Sequence, residues 1–167
     1  ISALESQLKL IQDSDSIQKI KVNIAWIYEN HLKNDDKAIQ QLEEALKLAT
    51  PQPYILVPLL YLYRKYNRFS DRIRLIENYL SVPDISKELR LSLLLEAGST
   101  TEHQMQNPSL AESYYLRVLA LDSTQIRAIR ALETIYQDKK EYLKLSEMYE
   151  LELKIADHLQ RTIFLKN

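Results

Sequence analysis

The sequence predicts an all-α chain, a solenoid of stacked antiparallel helix pairs, and three observations predict it. Apolar residues recur at three- and four-residue steps nearly throughout, as in Ile20, Ile24, Ile27 and Tyr28 and again in Leu42, Ala45, Leu46 and Leu48. That is the period of one face of an α-helix. The apolar runs are short and divided by brief polar breaks. Glycine is nearly absent, with Gly98 alone among 167 residues, so the Asn-Gly and Asp-Gly turns of a hairpin-built β fold are missing.

The breaks set the elements in order. Residues 1–12 read as the trailing second helix of an incomplete pair, ended by the polar run Asp13 to Ser16. Hairpins are then expected at about 16–50, 52–82, 85–122 and 124–156, turning near Lys33 to Asp36, Tyr66 to Ser70, Gln104 to Ser109 and Asp138 to Lys140. Thr50 to Pro53, Val82 to Ser86 and Asp122 to Thr124 separate one hairpin from the next. Residues 157–167 read as the first helix of a further pair, which makes about ten helical segments. The breaks carry Ser, Asp and Asn, whose side chains cap the free N–H groups of a following helix, and Pro108 suits a first helical turn. Helices of roughly ten to twenty residues are marginal alone, so their apolar stripes must stack on one another.

Sliding the sequence by 73 residues superposes Ala38 on Ala111, Leu46 on Leu119, Leu59 on Leu132, Tyr63 on Tyr136 and Leu80 on Leu153. The matches follow the helical spacing, so a pair of hairpins is duplicated rather than an active site. Within each unit Ala38 to Arg72 and Ala111 to Leu145 are 34 residues apart.

These residues resemble the tetratricopeptide repeat, whose pattern sets a bulky residue, a small one and a tyrosine on the first helix, and an alanine and an aromatic on the second. The first hairpin supplies Ile24, Ala25 and Tyr28, then Ala38, Leu42, Ala45 and Pro51, with one extra residue in its turn. The second supplies Leu59, Leu60 and Tyr63, then Arg72, Ile76 and Pro83, and the fourth Leu132, Glu133 and Tyr136, then Leu145 and Tyr149. The third gives Ala111, Tyr115, Val118 and Leu121, while its first helix aligns on either Leu94 or Ala97 and its turn is several residues longer. The resemblance implies a right-handed α-solenoid of about four repeats with a half repeat at each end. Glycine is missing from the close helix contact, where Ala25, Leu60 and Glu133 stand.

Several functions are disfavoured by composition. With 22 basic and 23 acidic residues the net charge is −1, so no whole-chain field draws nucleic acid or an anionic membrane. No apolar run approaches the ~20 residues that span a bilayer. The lone glycine leaves no phosphate-cradling loop, and zero cysteines leave no disulfide or thiolate metal site. His31 and His103 end equivalent first helices and do not converge, which leaves them and His158 reading as exposed histidines. The many carboxylates read as solvated faces with pairs such as Glu150 to Lys154. No catalytic residue, cofactor or metal is expected. Ile1 is not a methionine and no leader follows it, so the chain reads as a piece of a longer protein.

What remains is a surface. Tyr28, Tyr63 and Tyr136 read as core, since the resemblance places them between the two helices of a hairpin. Trp26 and Tyr61 fall where the repeat implies that first helices face a concave groove, the place where such proteins hold peptides or partner helices. Lys19, Asn23 and Tyr54 join them as candidate partner-binding residues. Arg64, Lys65, Arg68, Arg72 and Arg74 face only Asp71, a local charge of +4, and Arg127 and Arg130 extend the basic stripe. The positions where chaperone-binding relatives carry a carboxylate clamp hold Val22 and Trp26, then Val57 and Tyr61, so that clamp is not expected. The partner is thus a protein or peptide, with acidic segments among the candidates. Three readings stay open: a non-catalytic interaction scaffold, a regulatory or oligomerisation arm of a larger enzyme or signalling protein, and an RNA-binding helical repeat. Balanced charge and the lack of a repeated polar pair oppose the last. Apolar residues left at the ends, Ile163, Phe164 and Leu165 among them, suit further repeats or self-association.

Overall fold

The computed structural model describes residues 1–8, 11–48 and 52–164, without the side chains of residues 5, 7, 8 and 158–164. Among the described residues there are nine α-helices, one π-helical turn and no strand. The chain divides into two compact units, Ile1–Pro83 and Asp84–Asn167. Unit 1 contains α1 (Ser2–Leu8), α2 (Ser14–Asn30), α3 (Asp35–Leu46), α4 (Pro53–Lys65) and α5 (Phe69–Leu80). Unit 2 contains α6 (Lys87–Ser99), the π-helical turn (Thr100–Gln104), α7 (Pro108–Leu121), α8 (Ile126–Lys139) and α9 (Tyr142–Phe164).

Four helices, α2, α3, α6 and α7, begin where a short polar side chain holds one of their first N–H groups. Asp13 accepts from the Ser16 amide at 2.9 Å, Asn34 from Lys37 at 3.1 Å and Asn107 from Leu110 at 3.0 Å. Pro108 sits in the first turn of α7. Each hairpin reverses through one residue in the left-handed region, Lys33, Asn67, Gln106 and Lys140 in turn. The turn is then tied by an amide donating back to a fixed place on the first helix: Asn34 to Tyr28 O, Arg68 to Tyr63 O, Asn107 to Thr101 O and Glu141 to Tyr136 O, all at 2.8 to 2.9 Å.

That repeated closure settles the third hairpin. Thr101 takes the place of Tyr28, Tyr63 and Tyr136, which aligns Ala97 with Leu59 and Gly98 with Leu60. The Leu94 register is excluded. Its turn is therefore no longer than the first hairpin's, rather than several residues longer, because the helix runs on as a π-turn closed by Met105 N to Thr100 O at 3.1 Å. Gly98 also restores the small residue at the close helix contact. A Cβ there would lie 2.6 Å from Tyr115 Cε1, so α6 approaches α7 as only glycine allows.

In unit 1, α2 packs on α3, α3 on α4 and α4 on α5. Ile24, Ala38, Leu42, Ala45, Ile55, Leu59 and Leu62 fill the core. In unit 2, α6 packs on α7, α7 on α8 and α8 on α9, around Leu94, Ala97, Ala111, Val118, Ile129 and Leu132. One boundary differs from expectation. No first helix starts at residue 157; α9 runs unbroken from Tyr142 to Phe164. The segment from Lys154 to Phe164 carries no Pro or Gly, so nothing local stops the helix. Of the expected apolar end, the side chains of Ile163 and Phe164, and Leu165 as a whole, lie outside the description.

Candidate partner-binding surface

In unit 1 the first helix α4 is tied to the preceding hairpin at both ends, to α2 at its start and to α3 at its far end. At the start, the Tyr54 hydroxyl donates to buried Gln18 Oε1 at 3.1 Å, and Gln18 Nε2 donates to Ala45 O at 3.0 Å. At the far end, Lys65 and the Tyr66 hydroxyl donate to Asp35 in the first turn of α3. Tyr61 stands one repeat after Trp26, and both are open to solvent, 50% and 56% exposed. Trp26 meets His31 edge to face, ring centroids 4.9 Å apart. Lys19 and Asn23 are exposed on the Trp26 side of α2, and Tyr54 and Val57 on the Tyr61 side of α4. Trp26 is thus exposed on α2, and Tyr54, Val57 and Tyr61 on one side of α4, two helices whose other sides are core.

The basic run is arranged differently from its appearance in sequence. Lys65 is paired with Asp35, and Arg68 lies between Glu43 at 3.0 Å and Asp71 at 2.7 Å. Arg74 pairs with Asp71 at 2.5 Å, and Arg72 is buried. Asp35 and Glu43 come from the preceding hairpin, so half of the local charge of +4 is answered from elsewhere in unit 1. Among the described residues Arg64 alone of these five has no such partner. The hydrogen bonds from Lys65 and Tyr66 hold the Asp35 carboxyl below the usual aspartate range despite its burial. Burial, helped by the bond its hydroxyl donates to Glu43 Oε1 at 2.8 Å, pushes the Tyr63 hydroxyl well above the phenol range, and the Arg68 guanidinium lies over the ring at 4.7 Å. Between α3 and α5 the same groups border an open groove of about 400 Å³ floored by Tyr63, Leu46 and Leu75.

In unit 2, Arg127 and Arg130 occupy on α8 the places that Tyr54 and Val57 hold on α4, and both are exposed. Arg130 Nε lies 3.3 Å from Glu152 on α9. Beside it, burial and the Glu152 charge raise the Glu133 carboxyl, and Glu133 Oε1 is buried with no hydrogen-bond partner. Tyr136 and Glu112 are bracketed by cations: Lys139 and Lys144 bond Glu112 at 2.6 and 3.1 Å. Burial works against ionisation of Glu112, but these two bonds prevail and its carboxyl is lowered. Among the described residues no three His, Asp or Glu side chains converge as a metal site would need, and no helix is long and apolar enough to cross a membrane. Sequence reasoning missed Val57, whose exposure follows from its place one turn before Tyr61, and an apolar stripe on α9 formed by Tyr142, Leu143, Tyr149 and Leu153.

The fold is tetratricopeptide-like. It is similar to the crystal structure of MamA over 96% of this chain and 88% of that one, at 14% identity and a TM-score of 0.63. A second MamA structure matches over 86% of this chain and 75% of that one, at 22% identity and a TM-score of 0.60. PilF of Pseudomonas aeruginosa matches over 84% of this chain and 62% of that one, at 16% identity and a TM-score of 0.57. MamA and PilF are tetratricopeptide-repeat proteins. No family model and no curated protein sequence matches the chain.

Proposed function

We propose that the chain is a non-catalytic protein-interaction scaffold that holds a partner peptide or helix along the α2 and α4 face of unit 1. The observation that carries this reading is the pair Trp26 and Tyr61, repeated at equivalent places and both at least half exposed. Large aromatics left in water on a rigid helical support are the residues that most often dominate binding energy. Both supporting helices are fixed before any partner arrives, so little ordering is needed on binding. Lys19 and Arg64, exposed on the same two helices, favour acidic residues flanking the partner's apolar anchor. Lys65 and Arg68 act instead through the packing of one hairpin on the next.

Peptides selected from a displayed random library against the intact chain test the assignment. Their affinity should fall tenfold or more, about 1.4 kcal/mol, in Trp26→Ala and in Tyr61→Ala. The helical circular dichroism should not change. Peptides that bind both variants as tightly as the parent would place the site elsewhere.

A further inference from the structure

Helix α9 repeats α3 position for position. Leu145, Tyr149 and Leu153 stand where Ala38, Leu42 and Leu46 stand, and Glu150 stands where Glu43 does. Each helix packs on the first helix of its own hairpin, α3 on α2 and α9 on α8. The difference is that α3 is also packed by α4. Leu42 is accordingly 1% exposed and Tyr149 52%, while Leu46 is half-buried and Leu153 is 63% exposed. The polar positions differ in the same way. Glu43 accepts the Tyr63 hydroxyl at 2.8 Å and Arg68 at 3.0 Å, both delivered from the end of the incoming helix. Glu150 has no hydrogen bond or ion pair among the described residues, so the pair with Lys154 expected from the sequence is not formed.

The incoming helix also brings charge of a consistent sign. Where α4 lands on α3, Lys65 bonds Asp35, and where α8 lands on α7, Lys139 bonds Glu112. The open face of α9 is rimmed by Glu147, Glu150 and Asp157, all exposed and without ion pairs among the described residues; of the exposed cations described on the helix, Lys144 is taken by Glu112 and Glu141, which leaves Lys154. A basic occupant is complementary to that rim.

We infer that α9 is a docking face for an amphipathic helix of the α4 kind. Its apolar stripe covers Tyr149 and Leu153, and a tyrosine hydroxyl and an arginine at and just beyond its C-terminal end meet Glu150. This face is separate from the one carrying Trp26 and Tyr61. Occupancy of one does not require the other.

A labelled synthetic peptide of residues 53–69, which carries Tyr63 and Arg68, is the probe. Titrated with the intact chain and followed by fluorescence anisotropy, it should bind saturably, one to one. Affinity should fall at least tenfold in Leu153→Glu and in Glu150→Arg, and remain the same in Trp26→Ala. The peptide variant Arg68→Glu should recover most of the loss on Glu150→Arg, which separates a specific pairing from a disturbed fold even if Leu153→Glu proves unstable. Absence of binding, or binding indifferent to both Leu153→Glu and Glu150→Arg, would overturn the inference. So would a dimer of the chain that forms with concentration and dissolves in Leu153→Glu, because a second copy would then be the occupant.

Discussion

Replacing Gly98 with alanine tests the packing of unit 2 by the sign of its effect. In an open helix interior glycine to alanine stabilises by about 1 kcal/mol. At this position the new methyl would lie 2.6 Å from Tyr115 Cε1 and 2.9 Å from Cδ1 and Cζ. The ring has little room to yield, since Tyr115 is buried and its hydroxyl donates to Glu102 Oε2 at 2.7 Å. Overpacking of this kind costs about 1 to 3 kcal/mol, and swinging the ring aside breaks a hydrogen bond to a carboxylate worth about 1.5 to 3 kcal/mol. The clash outweighs the propensity gain, and a net loss of up to about 2 kcal/mol is expected. For a chain of this length that lowers Tm by roughly 2 to 4 °C per kcal/mol. Thermal and urea unfolding followed by circular dichroism would measure it. In a Tyr115→Ala background, with the ring gone, Gly98→Ala should become stabilising by about 1 kcal/mol. A Gly98→Ala chain more stable than the parent would refute the close approach of α6 to α7.

Two further predictions concern pH. Glu133 has its carboxyl raised by burial and by Glu152, so its charged form weakens the fold at neutral pH and its neutral form does not. Glu133→Gln should therefore stabilise the chain at pH 7 by about 1 kcal/mol or less. Melting curves at stepped pH should show that gain fading as pH falls through the raised value toward 4.5, where the parent takes up its proton. A gain that persists unchanged into acid would contradict the burial of this group. Asp35 shows the opposite sign. Its carboxyl is lowered by Lys65 and Tyr66, so its contribution is complete above the ordinary aspartate value of 3.8 and is lost as pH falls below it. Asp35→Asn should destabilise unit 1 at neutral pH, with the difference from the parent narrowing below about pH 4. A difference constant from pH 7 to pH 3 would show that the cluster around Asp35 is not electrostatic.

Much of the fold was legible because it is written locally. Helical periodicity gave α2 to α8, and Asp13, Asn34, Asn107 and Pro108 mark helix starts in the sequence as they do in the structure. The tyrosines at 63 and 136 are core, as the repeat implied, whereas Tyr28 is only partly buried. What was not legible depends on residues far apart. The basic run looked free because its acids, Asp35 and Glu43, lie about thirty residues upstream on another hairpin. The register of the third hairpin was ambiguous because a π-turn adds a residue without a break in composition, and only the closure onto Thr101 identifies it. Residues 157–167 read as the first helix of a further pair, but an uninterrupted run of helix-compatible residues continues α9. The α2 and α4 face was half legible. Repeat register picked out Trp26 and Tyr61, and passed over Val57 because valine at a groove position looked like a missing clamp rather than a contact.

The fluorescence of Trp26, the chain's one tryptophan, tests the central claim most directly. The account predicts red-shifted emission readily quenched by iodide in the free chain, then a blue shift and protection from iodide when a library-selected peptide binds, both lost in Tyr61→Ala. Emission of a buried indole in the free chain, or a bound state that leaves Trp26 as open to iodide as before, would contradict it.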